Sequence, residues 1–395
     1  MKITSIDVFE MKPNVMGKVI CLRINTDEGI SGFGEVGLSY GKAHDAGVGI
    51  AKDYAQLLIG MDPMKIEYIW EHIFRSTFWG MGGGTVINAG MSAVDIALWD
   101  IKGKALGVPV WELLGGKTND KIRAYASQLQ FDWDVEHRFL TKPEQYAEAT
   151  KKAMAQGYTA IKVDPIGVTS DGKWAREATD PNWKMRGKLS SRMVNIAYER
   201  TAAMREAGGS DLDIIIELHA YTDSITAVQL GKKLEPLDIY YYEEPVHPLN
   251  AGSMLEIHTA LNIPIASGER IYTRWGFRDF LEKRAIQVIQ PDITITGGIS
   301  ETKKICDMAN VYDAAVQAHV CGGPIATAAT LQLEAVIPNF LIHEVHEGAI
   351  KAEMRELGLY DYQPVDGAYD VPNLPGIGQE LSEKAMAEAV CYTFK

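Results

Sequence analysis

The 395-residue chain is 46% apolar and 23% charged, an ordinary globular composition whose length makes two structural units the default expectation. Its 52 acidic residues outnumber 39 basic ones, and the net charge of −13, with no long Lys/Arg run, excludes nucleic acid as an expected partner. Cys21, Cys306, Cys321 and Cys391 form no CxxC pair, Asp7 and Glu10 interrupt any N-terminal signal, and no apolar run reaches membrane-spanning length, so a soluble cytoplasmic protein with reduced thiols and no membrane partner is expected.

The chain begins with KITSIDVFEMK and KVICLRINTDEGISGFGE, whose alternating apolar residues around Asp27-Glu28-Gly29 predict an antiparallel hairpin. Helical periodicity follows in AKDYAQLLIG and MKIEYIWEHIFRS, then a Gly cluster, GMGGG, then the long apolar segment MSAVDIALWDIKGKALGVPVWELLGG. These make an α+β unit over residues 1–120. From about Arg123 the pattern becomes strand, loop, helix. Eight candidate strands, IRAYASQL, YTAIKVD, LDIIIELH, LDIYYYEE, IPIASGE, AIQVIQPD, DAAVQAH and PNFLIHE, alternate with helical stretches and predict a parallel β/α barrel over 121–348. An open doubly wound sheet is the alternative, but no GxGxxG turn follows any strand. The long polar segment from Pro165 to Ser190, with Trp174 and Trp183 inside it, is expected to be a lid. The Gly/Pro-rich tail over 349–395 is expected to pack on the first unit.

Glu217, Glu243 and Glu269 each sit at the downstream end of an apolar strand, at equal intervals of 26 residues, about one strand and one helix apart. Successive parallel strands bring all three acids to one rim, and three converging oxygen ligands suit Mg²⁺. Asp292 and His319 end two neighbouring strands, close enough for the carboxylate to fix the imidazole tautomer, which makes His319 the candidate general base; a lone histidine otherwise serves the core or surface. His219, two residues beyond Glu217, points to the same mouth in extended geometry and is a candidate general acid or a solvated rim histidine. Lys162 and Asp164 share the i, i+2 relation and face inward, as catalytic and substrate groups or as an internal ion pair; a buried Lys162 needs an anion, Asp164 or a substrate, beside it. Glu344 ends the last strand as a candidate substrate contact, with His343 and His346 ambiguous beside it. Arg270 is a candidate for holding an anionic or hydroxyl group, Trp275 a candidate wall or a core aromatic, and Glu244 a supporting group outside the metal trio.

The segments MSAVDIALWDIKGKALGVPVWELLGG, YYEEP, ASGER, QPD…GGI and the late histidine closely resemble the mandelate racemase branch of the enolase superfamily over nearly the whole chain, most closely its galactonate and mannonate dehydratase type. The resemblance implies an α+β cap over a modified TIM barrel of seven β/α units plus a final strand. It further implies Mg²⁺ on Glu217, Glu243 and Glu269, His319/Asp292 as base, His219 as acid and Glu344 as a substrate carboxylate contact. Two positions depart from the pattern: the first metal ligand, commonly Asp, is Glu217, and where many members carry KxK this chain has Lys162-x-Asp164.

The implied reaction is dehydration of an aldonate-type sugar acid to a 2-keto-3-deoxy acid through removal of the proton α to the carboxylate. Epimerisation, racemisation, or cycloisomerisation of a lactone or anhydro sugar would use the same groups. A metabolite-sensing protein would be expected to lack a metal ligand or the His/Asp pair, and none is lost here. Pocket-shaping stretches are expected at Asn14 to Gly17, Trp79 to Gly84 and Trp174 to Trp183. Relatives are commonly dimers or octamers, so a homo-oligomer is expected.

Overall fold

The computed structural model describes residues 1–15, 17–133, 136–175 and 187–395. The strands in chain order are β1 (Ile3–Glu10), β2 (Ile20–Thr26), β3 (Ser31–Val36), β4 (Lys121–Ser127), β5 (Ala160–Val163), β6 (Asp213–Glu217), β7 (Ile239–Glu243), β8 (Ile265–Ser267), β9 (Val288–Ile289), β10 (Ala315–Val316), β11 (His343–His346), β12 (Ala368–Asp370) and β13 (Val390–Phe394). The helices are α1 (His44–Leu58), α2 (Ile66–Ser76), α3 (Thr85–Leu106), α4 (Val110–Leu113), α5 (Pro143–Ala155), α6 (Ser191–Gly208), α7 (Ser224–Leu234), α8 (Ala251–Ala260), α9 (Thr273–Glu282), α10 (Gly298–Val311), α11 (Pro324–Glu334), α12 (Ala352–Arg355) and α13 (Glu383–Glu388). Among the described residues, no helix is long and apolar enough to cross a membrane.

The hairpin read from the sequence is β2–β3, turned at Gly29, whose φ of +76° suits a residue without a Cβ. β13 pairs with β1 and completes an antiparallel sheet in the order β13-β1-β2-β3. α3 lies against β3 so closely that a Cβ on Gly34 would stand 1.8 Å from the Ala93 carbonyl oxygen, and one on Gly32 2.1 Å from that of Ala97. The two glycines of SGFGE therefore set the distance between sheet and helix. α3 is buried over most of its circumference because its other side meets the barrel.

Among the described residues eight parallel strands, β4 to β11, form the barrel. β11 pairs with β4, and the ring closes where Val316 and Leu341 donate N–H bonds to Asn339 and Val316 carbonyls at 2.8 Å each. Helices α5 to α11 follow β4 to β10 in turn, giving seven β/α units and a final strand. All eight strands expected from the sequence are present, although β9 and β10 are only two residues long.

The cap is fastened to the barrel through helix N-termini. Asp95 of α3 accepts from Ser300 N (2.9 Å) and Oγ (2.6 Å) in the first turn of α10. Glu35 of β3 accepts from Gly323 N (2.5 Å) and Ala326 N (3.0 Å) at the start of α11. Carboxylates belong at these ends, where backbone N–H groups lack intrahelical partners. α10 and α11 are the helices that follow the strand ends carrying Asp292 and His319, so the same bonds hold the cap over the barrel mouth.

Candidate active site

β6 and β7 run in register with Glu217 opposite Glu243, and Glu269 lies two residues past β8. One carboxylate oxygen of each lies within 4.8 Å of the other two. Burial pushes the Glu217 carboxyl well above its ordinary range, and the neighbouring Glu243 and Glu269 charges add to that. Glu217 Oε1 accepts from the His219 backbone N–H at 2.7 Å, while its buried Oε2 has no hydrogen-bond donor among the described residues. Three crowded carboxylates with an unsatisfied inward oxygen fit a hard divalent cation, which supplies the missing positive charge.

Beneath the trio lies Lys162. Its Nζ is 2.9 and 3.0 Å from the two Glu243 oxygens, 2.9 Å from Glu344 Oε1 and 3.5 Å from Glu217 Oε2. Burial opposes its charge, but Glu243, Glu344 and Glu217 outweigh burial and hold its pKa well above the ordinary value. The anion that Lys162 requires is thus this carboxylate group and not Asp164. With 1% exposure and no face on the cavity, Lys162 is a counter-charge under the site, which corrects the catalytic role expected for it in favour of an internal ion pair. Glu344 is corrected likewise: it accepts from Ser127 Oγ (2.6 Å) and Val320 N (3.0 Å), pairs with Lys162, and does not line the cavity.

Two histidine–carboxylate pairs bracket the trio. At the Glu269 end, His319 Nδ1 is 2.7 Å from Asp292 Oδ2 and Nε2 is 3.3 Å from Glu269 Oε2. Asp292 is fixed through Oδ1 by Thr294 N (2.7 Å) and Oγ1 (2.5 Å). Burial lowers the His319 pKa, but Glu269 and Asp292 outweigh it and push the imidazole up to about 10. At the Glu217 end, His219 Nδ1 is 2.7 Å from Asp164 Oδ2. His219 does not reach the mouth by extended geometry, since β6 stops at Glu217 and His219 and Ala220 have φ of +47° and +61°. Asp164 is fully buried with its carboxylate turned to His219, so it is corrected from a substrate group to a partner of His219.

Arg270 lines the cavity, but its guanidinium is committed to Glu244 through Nη2 and through Nε at 3.1 Å, and lies 3.5 Å from Glu269. Trp275 is no wall: it sits on α9, 51% exposed, and stacks on Phe74 of α2 at 5.5 Å. Trp79 is 91% exposed and also off the cavity. Within the lid segment Trp174 lines the cavity; Trp183 lies outside the described residues.

His219, Glu269, Arg270, Asp292 and His319 border one cavity of about 490 Å³, roofed by Val15, Leu38, Tyr40 and Thr85 of the cap. Its side wall is aromatic, with the Phe131 ring 5.1 Å from Trp174 and 4.6 Å from His137. His137 Nδ1 in turn meets Glu347 at 2.5 Å, beside His346. The sequence reading missed Phe131, His137 and Glu347; for Phe131 the aromatic-rich run LQFDW just after β4, at a strand end of a barrel, was the available signal.

Residues 9–115 match the mandelate racemase/muconate lactonizing enzyme N-terminal domain, and residues 145–385 match the enolase C-terminal domain-like family. The chain belongs to the mandelate racemase branch of the enolase superfamily. It is 35% identical to a D-galactonate dehydratase of Pectobacterium atrosepticum and 33% identical to one of Ralstonia pickettii, each over 98% of this chain and 94% of the relative. A crystal structure of an enolase superfamily member from Salmonella typhimurium has 52% identity and a TM-score of 0.96, with both chains covered completely. The protein is an enzyme of the hydro-lyase class, and its superfamily implies a divalent metal.

Proposed function

We propose that the enzyme dehydrates an aldonate-type sugar acid in the cytoplasm, using Mg²⁺ on Glu217, Glu243 and Glu269 and giving a 2-keto-3-deoxy acid. The observation that carries this reading is the placement of two His–carboxylate pairs at opposite ends of one acidic trio, with both imidazoles on one cavity. The D-galactonate dehydratases at 33–35% identity support the substrate class, and four free cysteines support a reducing compartment.

A bound divalent ion supplies Lewis-acid stabilisation of the charge that develops on the substrate carboxylate. The chain's own residues do the rest. His319 Nε2 takes the α proton while Asp292 holds Nδ1. Its strong tendency to stay protonated stems from the negative charge of Glu269, which a cation on that carboxylate offsets. His219 gives a proton to the β-hydroxyl as the C–O bond breaks and water leaves, and the resulting enol tautomerises to the keto acid. Lys162 keeps the carboxylates in place from below. The aromatic side wall suits the C–H faces of a polyol chain, with His137 and Glu347 available to its hydroxyls.

The test is 2-keto acid formation across a library of aldonates and aldarates, with Mg²⁺ and with EDTA. Turnover of one or a few aldonates, abolished by EDTA, is expected; no keto acid from any sugar acid overturns the reading. The same pair of imidazoles could exchange a proton across one carbon, so deuterium incorporation at the α carbon without loss of water would instead identify an epimerase.

A further inference from the structure

We infer that Asp164 is the positioning residue for His219: it binds the proton on Nδ1 and so fixes the tautomer and ring orientation that place Nε2 on the cavity side, next to the departing hydroxyl. The inference rests on the dehydratase reading for the hydroxyl but on geometry alone for the tautomer.

Four observations carry it. The Nδ1 to Oδ2 distance of 2.7 Å is that of a strong hydrogen bond to a carboxylate, and Asp164 itself is 0% exposed. That carboxylate cannot swing away. Oδ1 accepts from Ile166 N at 3.1 Å, the Asp164 N–H is held by Gln130 Oε1 at 3.1 Å, and a Cβ on Gly167 would stand 2.7 Å from Oδ2 and 2.8 Å from the Trp174 ring. Gly167 thus lets the loop close over the very oxygen that meets His219. Third, His219 lines the cavity whereas Asp164 does not, so the ring presents its opposite edge to a ligand. Finally, His219 is held at φ +47°, a left-handed conformation that is unfavourable for a residue with a Cβ. Its backbone N–H bond to Glu217 and its ring bond to Asp164 hold it there. Had Asp164 served only to brace its own turn, the bond from Ile166 to Oδ1 would suffice, and Oδ2 would have no reason to face an imidazole.

In the step this serves, the C–O bond to the β-hydroxyl breaks, its electrons leave with oxygen, and the proton passes from Nε2 to that oxygen, forming water. The Nδ1 proton stays on the ring, bonded to Asp164. This gives Asp164, standing where many relatives carry the second lysine of KxK, a role on the acid side of the site.

The experiment compares the wild-type enzyme with Asp164→Asn, Asp164→Ala and His219→Asn. Asparagine can still accept from Ile166 N, but its amide would donate to Nδ1, so the ring could not carry a proton there as well as on Nε2, and release of the Nε2 proton would leave an imidazolate. With Mg²⁺ bound, the expected result for Asp164→Asn is a loss of roughly 10²–10⁴-fold in dehydration kcat, a KM within about threefold of wild type, and α-proton exchange into D₂O retained. Independently of turnover, ¹⁵N spectra of histidine-labelled protein, assigned by the signal missing in His219→Asn, should show a proton on His219 Nδ1 in wild type. That proton should be displaced in Asp164→Asn. Wild-type kcat in Asp164→Asn, or a His219 tautomer indifferent to residue 164, overturns the inference. If the wild-type enzyme dehydrates no sugar acid, the dehydratase reading fails while the spectra still decide the role of Asp164; unchanged melting temperatures separate either result from misfolding.

Discussion

The His319 and His219 pairs look alike in composition and differ in confinement. His319 lies three residues past β10 without a left-handed turn and has a carboxylate at each nitrogen, Asp292 at 2.7 Å and Glu269 at 3.3 Å. His219 sits on a left-handed turn with the Asp164 carboxylate 2.7 Å from Nδ1 and the Trp174 ring edge-on at 6.2 Å. One imidazole is thus paired through Nε2 with a metal ligand and its charge answers to the metal; the other has its ring bonded to a carboxylate outside the trio. Surroundings, more than residue type, divide base from acid in such sites.

The largest expected effect tests that division directly. His319→Asn should abolish α-proton exchange and dehydration together, by roughly 10³-fold or more, because the other nitrogen beside Glu269, Arg270 Nε at 3.5 Å, belongs to a guanidinium that stays protonated. If exchange measured by mass spectrometry in D₂O survives this change, the two pairs have the reverse roles.

Lys162 underlies both pairs equally. Lys162→Met leaves Glu217, Glu243 and Glu344 buried without their shared cation, and urea unfolding should report a loss of about 3–5 kcal/mol, the usual effect of removing one partner from a buried ion pair. Added Mg²⁺ should restore part of that stability; no change in the unfolding midpoint would mean that the carboxylates simply take up protons.

The smallest effect concerns the His319 side alone, where Glu35 of the cap holds the N-terminus of α11. Burial pushes the Glu35 carboxyl from 4.5 to about 7, against the bonds from Gly323 and Ala326 that lower it. The folded protein keeps a proton there that the unfolded chain has released. Its contribution to stability is therefore complete below pH 4.5, declines as pH rises towards 7 and levels off above. The difference in stability between wild type and Glu35→Gln, followed by urea unfolding from pH 4 to 8, should change across that window; a flat difference would mean that the helix N-terminus keeps Glu35 ionised throughout.

The trio and the His319–Asp292 pair were legible because each lies at a strand end and the repeat of strand and helix fixes the spacing. The eight strands were legible for the same reason, alternation being a local property. Lys162 and Asp164 illustrate what was not. Period-two alternation says that they face the same way, but not that Lys162 reaches Glu243 across the barrel while Asp164 turns to His219. Such pairing depends on strand stagger and on the left-handed turn after Glu217, which no residue type announces. Trp275 failed as a wall because α9 turns it outward onto Phe74, a contact between cap and barrel that spacing within either part cannot reveal.

The bonds from Asp95 and Glu35 to the starts of α10 and α11 have a consequence for traffic through the mouth. Lifting the cap as a body would strip both helix ends of their acceptors, so these bonds oppose its leaving the barrel mouth. Val15 and Tyr40 line the cavity from the cap and Trp174 from the loop after β5, so changes at these three should alter entry and release before they alter the chemistry beneath.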